Sequence, residues 1–307
     1  MTLMQKAVTP QMSAAYLERG FDRVGGFVVR TPDVEHATTP AAVFEAHGLG
    51  FPGSPHRPDA NHVDVLRFPA TPQLRFENAV GGIDEESRAR TGGTFIDRPP
   101  FTGTGFVATA EAVVPLYWLA HSRVPAGSQL VRLGADGTSR VLAEHVDVGH
   151  GWYSQTEQIG HAASPRISRH VGPMAMWSGT ALNADVFADR VVVAAEVEPP
   201  AQYGFQPTGA GRWRREVPRD EVAELFEMYV AAKWNGLAVR VVDQWTAQDG
   251  ESISHVSYTG HNADLAEGLQ LPKVDAGVYE VTVPTASLVA VEHTQLVPEQ
   301  WAAPARA

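Results

Sequence analysis

Cysteine is absent from this 307-residue chain, which removes disulfides, thiol nucleophiles and thiolate metal sites together. Long apolar runs are absent too: no stretch reaches the ~20 apolar residues of a membrane span. The opening MTLMQKAVTPQMSAAYLERG has no apolar core of the kind a signal peptide needs. A cytoplasmic protein is the default expectation, and export without a cleavable signal stays open. Basic charge is scarce, with 24 Lys and Arg against 35 Asp and Glu and a net charge of −11. The imbalance is concentrated in residues 219–307, which hold 5 Lys/Arg and 13 Asp/Glu. Such a surface repels nucleic acid and anionic lipid, so neither is expected as a partner. No Gly-x-Gly-x-x-Gly fingerprint, Walker loop or long internal repeat occurs.

What is present suits a folded protein. Hydrophobic residues make up 44% of the chain and charged ones 19%, an ordinary globular balance, and the length fits two domains better than one. Pro and Gly punctuate residues 31–104 so often that only short strands and one or two helices fit there. PAAVFEAHGL (40–49) predicts a helix with Thr39 as cap and Pro40 in its first turn. AEAVVPLYWLAH (110–121) predicts a second helix, interrupted by Pro115. PAGSQLVRLGADGTSRVLAEHV predicts two strands joined at ADG, and DRVVVAAEVE (189–198) a buried strand.

PPAQYGFQPTGAGRWRREVP breaks every period and marks a boundary. Its arginines, Arg212, Arg214 and Arg215, together with Arg219, read as a solvated linker. Beyond it, PRDEVAELFEMYVAAKW (218–234) predicts a helix, with acids in the first turn and apolar Val222, Leu225, Phe226, Tyr229 and Val230 at helical spacing. GLAVRVVDQW, SISHVSYTG, GVYEVTVP and SLVAVEHTQLV predict four strands, and HNADLAEGLQL (261–271) a short helix capped by Asn262. The expected fold class is therefore α+β: an N-terminal mixed α/β domain with short strands (1–198), a linker (199–217) and a small C-terminal α+β module (218–303).

Three places carry a chemical hypothesis: Arg30 at the end of GGFVVR, GTGFVATA at 103–110, and Gln155-Thr156-Glu157 in GWYSQTEQIG. Cleaving an N-glycosidic bond to a charged leaving group, as in NAD, needs a cation for the pyrophosphate and a narrow wall for the ribose. It also needs a carboxylate beside the developing oxocarbenium ion. Arginine meets phosphate with a rigid fork, and glutamate stabilises the cationic sugar more in the transition state than in the ground state. The arrangement resembles the ADP-ribosyltransferase toxin family, with its arginine on the first core strand, Ser-Thr-Ser strand and Gln/Glu-x-Glu motif. PAAVFEAHGLGF is similar to the proline-led helix that often follows the arginine.

The resemblance spans about residues 27–160 and implies an NAD-dependent ADP-ribosyltransferase or NAD glycohydrolase that cleaves the nicotinamide–ribose bond. It implies that Arg30 binds phosphate, Thr109 lines the ribose, Gln155 orients the acceptor and Glu157 stabilises the oxocarbenium ion. Trp152, beside Tyr153, would stack on nicotinamide. Ala108 stands where the family carries a serine, and the interval from Arg30 to Pro40 is longer than the family's.

Each of these residues also has a plainer role. Arg30 can pair with a surface acid, Phe106 and Val107 can be core, Trp152 can anchor a loop, and Glu157 can be solvated. His145, His150, His161 and His170 with Asp147 crowd one region but lack the i, i+4 pairing of a rigid metal site. Ser154 and Ser178 lack a nucleophile-elbow context. The rival expectation is a non-enzymatic two-domain protein-binding or immunity-type protein, with a partner or target met through the C-terminal module and GVYEVTVP as a pairing edge.

Overall fold

The computed structural model describes residues 2–156, 159 and 166–302. Strands account for 46% and helices for 16%. In chain order the first half supplies β1 (Leu3–Val8), β2 (Arg23–Arg30), β3 (His62–Pro69) and β4 (Phe76–Asn78). Two short ribbons follow, β5 (Gly81–Gly82) with β6 (Phe95–Ile96) and β7 (Phe106–Ala108) with β8 (Val113–Pro115). Then come β9 (Tyr117–Arg123), β10 (Ser128–Gly134), β11 (Ser139–Asp147) and β12 (Gly151–Tyr153).

Eight of these strands form one antiparallel sheet in the order β12-β11-β10-β3-β1-β2-β9-β4. Alternation sends Leu66, Phe68 and Leu130 to one face and Val63, Val65 and Val131 to the other. Helix α1 (Pro10–Arg19) covers the first face through Tyr16, and α2 (Pro40–Ala46) covers the second through Val43. Both helices start alike. Thr9 accepts a bond from the Met12 amide at 3.1 Å and Thr39 from the Ala42 amide at 3.3 Å, each just before a proline that has no amide to lose. Helix α3 (Glu85–Thr91) is held by an Asp84–Ser87 capping box. Fully buried side chains such as Leu66 and Phe68 each contribute about 1.5–3 kcal/mol by leaving water.

The second half supplies β13 (Pro173–Trp177), β14 (Thr180–Val186), β15 (Arg190–Ala195), β16 (Gln206–Pro207) and β17 (Trp213–Pro218). It continues with β18 (Glu224–Trp234), β19 (Leu237–Thr246), β20 (Ser252–Tyr258), helix α4 (Ala263–Gly268), β21 (Lys273–Asp275), β22 (Val278–Pro284) and β23 (Val289–Leu296). These eleven strands form one sheet that forks at β18. Glu227 pairs with Pro173 of β13 and with Leu296 of β23, while Val230 pairs with Val241 of β19 and with His293 of β23. β13 and β19 therefore share one edge of β18, and β23 runs along the other.

This mostly β architecture overturns the α+β expectation. The helix expected over 218–234 is strand β18. Because β18 is flanked by three strands and buried on both faces along Leu225–Glu227, its apolar residues occur at both parities and imitate helical spacing. The helix expected over 110–121 is β8 and β9. Its Val113, Val114, Tyr117 and Trp118 fit a pleated surface, and Pro115 closes the first of the two strands. The linker expected over 199–217 lies inside the second sheet, where β17 pairs with β15 over six residues from Arg190–Pro218 to Ala195–Trp213. The change from one sheet to the other falls instead between Tyr153 and Pro173. Among the described residues, no helix is long and apolar enough to cross a membrane.

Candidate functional site

Among the described residues, Arg30 stands on β2, apart from Trp152 and Gln155 at β12. Arg30 ends β2, partly exposed, donating to the Tyr117 hydroxyl and lying 3.5 Å from the Asp33 carboxylate. The Thr109 hydroxyl closes its own turn, donating to the Ala112 carbonyl at 3.1 Å and accepting from the Ala112 amide at 3.0 Å. Trp152 is core: its indole donates to the Phe21 carbonyl at 2.6 Å and its ring lies 5.0 Å from Tyr16 and 5.4 Å from His145. Gln155 is exposed just after β12. Glu157 lies outside the described residues, as does His161. Four strands stand between β12 and β2, on the order of 24 Å along the sheet at about 4.8 Å per step.

GTGFVATA is a wall, but of a small space. Gly103, Gly105, Phe106 and Val107 meet Phe27 and Asp97 around a cavity of about 30 Å³, room for one water, whereas small-molecule sites run to roughly 300–1,000 Å³. Gly103 is required where it stands. A Cβ there would sit 2.1 Å from the Gly81 carbonyl oxygen, and the Gly81 amide donates to the Gly103 carbonyl at 2.9 Å.

The buried polar groups concentrate at the seam between the sheets. The turn Asp275–Gly277 before β22 rests on Gly26 of β2; a Cβ there would meet Val278 at 2.7 Å and come within 4.0 Å of the Ala276 carbonyl, so the glycine allows the contact. Lys6 pairs with Asp275 at 2.6 Å, both buried. Glu280 lies between His121 at 2.5 Å and His255 at 2.8 Å. Burial pushes its carboxyl up, but the charges and hydrogen bonds of the two histidines outweigh that and hold it well below the usual carboxylate range. Arg240 pairs with Glu227 at 2.7 Å, and buried Arg123 donates to the carbonyls of Ser168, Val171, Pro173 and Ala184.

The supposed linker arginines join this seam. Arg212 donates to the Val148 carbonyl at 2.8 Å and Arg214 to Asp147 at 2.8 Å. Burial pushes the His145 imidazole down to about 4, and neither of its ring nitrogens has a partner. In the seam around Lys6, Glu280 and Glu227 each cation faces a carboxylate or a row of carbonyls, and none of these groups opens on a ligand-sized space. Such paired, buried charges suit groups that hold the two sheets together. Among the described residues no group of three or more His, Asp or Glu is placed to hold a metal ion.

The surface most open to another molecule is on the second sheet. GVYEVTVP, the expected pairing edge, is β22 and is flanked by β20 and β21. β23 has one open edge: its only ladder among the described residues is with β18. Seven of its eight residues are exposed and the eighth half-buried, with Val289 at 59% and Val291 at 45% exposure. At the C-terminal end of β23 lies a groove of about 700 Å³, floored by Val222, Phe226 and Trp301. The sequence signal for β23 was its β-rich run; nothing in that run marks it as outermost, because edge position depends on which strands pair.

No protein-family model, curated protein or solved structure matches the chain.

Proposed function

We propose that this chain is a non-catalytic protein-binding protein that meets its partner along the open edge of β23. The carrying observation is that edge itself: eight residues of strand, exposed on both faces, with apolar Val289 and Val291 presented to solvent. An extended segment laid beside it gains main-chain hydrogen bonds and contacts to alternate side chains. The separation of Arg30 on β2 from Trp152 and Gln155 at β12 supports binding over NAD cleavage, because differential stabilisation of a transition state needs the groups within reach of one ligand.

The test places a photo-crosslinking residue at Val291 in the native host. A discrete crosslinked protein is expected, lost on adding Glu292→Pro, which blunts the edge, and retained on adding Val113→Lys, a substitution at an exposed site on the β7–β8 ribbon. Purified protein incubated with NAD should release no nicotinamide. Release that falls in Glu157→Gln would overturn the proposal in favour of the ADP-ribosyltransferase reading.

A further inference from the structure

Resting on that reading, we infer that the segment bound is cationic and that the groove at the C-terminal end of β23 is where its charge is read. The groove adjoins the edge directly, since Gln295 and Val297 line it. Its floor is apolar, with Val222 and Phe226 buried and Trp301 6% exposed. The rim carries three carboxylates, Asp189, Asp220 and Glu224, and one guanidinium, Arg219. Asp189 pairs with Arg190 at 3.2 Å, while Arg219 donates to the Trp301 carbonyl at 3.3 Å and keeps its positive charge at the rim. Asp220 and Glu224 are exposed, and among the described residues neither forms an ion pair. The groove therefore joins an apolar floor to a rim on which two exposed carboxylates, Asp220 and Glu224, outnumber the one guanidinium of Arg219, and both lie in the acidic C-terminal third of the chain.

A lysine or arginine matches both features at once: its aliphatic stem covers apolar surface while its charged head stays at the wet rim. An arginine head can also lie against the indole face. An extended strand places alternate side chains on one face about 7 Å apart, so a peptide alternating Lys and Val presents its cations in register to the groove while its backbone follows β23.

The test uses two capped hexapeptides, Lys-Val-Lys-Val-Lys-Val and Glu-Val-Glu-Val-Glu-Val, titrated into the full chain. The indole resonance of Trp301, assigned by its loss in Trp301→Phe, is the readout. The lysine peptide should shift that resonance saturably and the glutamate peptide should not. Asp220→Asn combined with Glu224→Gln should weaken the lysine peptide at least tenfold. Both side chains are exposed, so the fold should be retained, as amide spectra away from the groove will show.

Equal binding of the two peptides overturns the inference, as does an unmoved Trp301 resonance or unchanged affinity in the double variant. Should Val291 crosslink a partner while the lysine peptide leaves Trp301 unmoved, the charge inference fails and the edge reading stands. If neither happens, both fall.

Discussion

Gly26 sets how closely the two sheets approach. Its φ of +94° is one that side-chain-bearing residues rarely adopt, and a Cβ there would press on Val278 at 2.7 Å and Lys6 at 3.1 Å. Gly26→Ala is expected to cost about 2–3 kcal/mol, combining backbone strain with overpacking, measured by urea unfolding. Ala290 shows the opposite case. It sits in β23 at a φ of +49°, where the register with β18 slips between Ala231 and Lys233. Ala290→Gly should stabilise the protein by about 1 kcal/mol, because glycine adopts that conformation without steric cost. At this scale the sequence showed residue types but not their company. Arg30 was legible as a strand-end arginine, while its engagement by Tyr117 and Asp33 depended on β9 lying beside β2 and on the turn that follows it.

Elements with local punctuation were legible. The helix at Pro40–Ala46 begins where Thr39 and Pro40 place it, and α4 begins at its Asn262 cap, whose side chain accepts from the Leu265 amide at 3.2 Å. Asn262→Ala should cost about 1–2 kcal/mol by thermal unfolding, since the cap bond is lost at a buried position. β10 and β11 pair around the turn that Asp136 and Gly137 provide. Elements whose character comes from their neighbours were not legible. β18 is apolar on both faces because three strands surround it, and a one-dimensional pattern cannot distinguish that from a buried helix. The same reasoning hid the free edge: β22 and β23 are similar as sequence, yet one is flanked on both sides and the other on one.

For the whole molecule, acid stability follows from histidines held neutral inside it. Burial pushes His47 down to about 3, and His145 and His261 down to about 4. The unfolded chain binds protons at these groups below about pH 6.5, while the folded chain does not until near pH 3–4. More protons on the unfolded state means that stability falls as pH drops from 6.5, by roughly 1.4 kcal/mol per pH unit for each histidine. Asp185 opposes this over part of the range: burial raises its carboxyl to about 6, so it holds a proton in the fold that the unfolded chain has released. For these four groups the net is about two protons, or roughly 3 kcal/mol per unit between pH 6 and 4. Urea titrations at pH 7 and pH 5 should show the loss, and His47→Gln should reduce the slope by about one proton. A slope unchanged in that variant would show that His47 is not held neutral.

Composition by itself determined that the chain carries no thiol chemistry and an acidic C-terminal third, since these depend only on which residues are present. Local pattern determined the capped helices α2 and α4 and five of the eleven strands of the second half, because caps, turns and alternation act over a few residues. Only the tertiary structure decided that residues 173–296 form one sheet, that Gly26 receives the Asp275–Gly277 turn, and that β23 is left with an open edge. Each of these depends on contacts between distant segments. The hydrogen bonds and packing that favour one strand partner over another leave no local mark in the sequence.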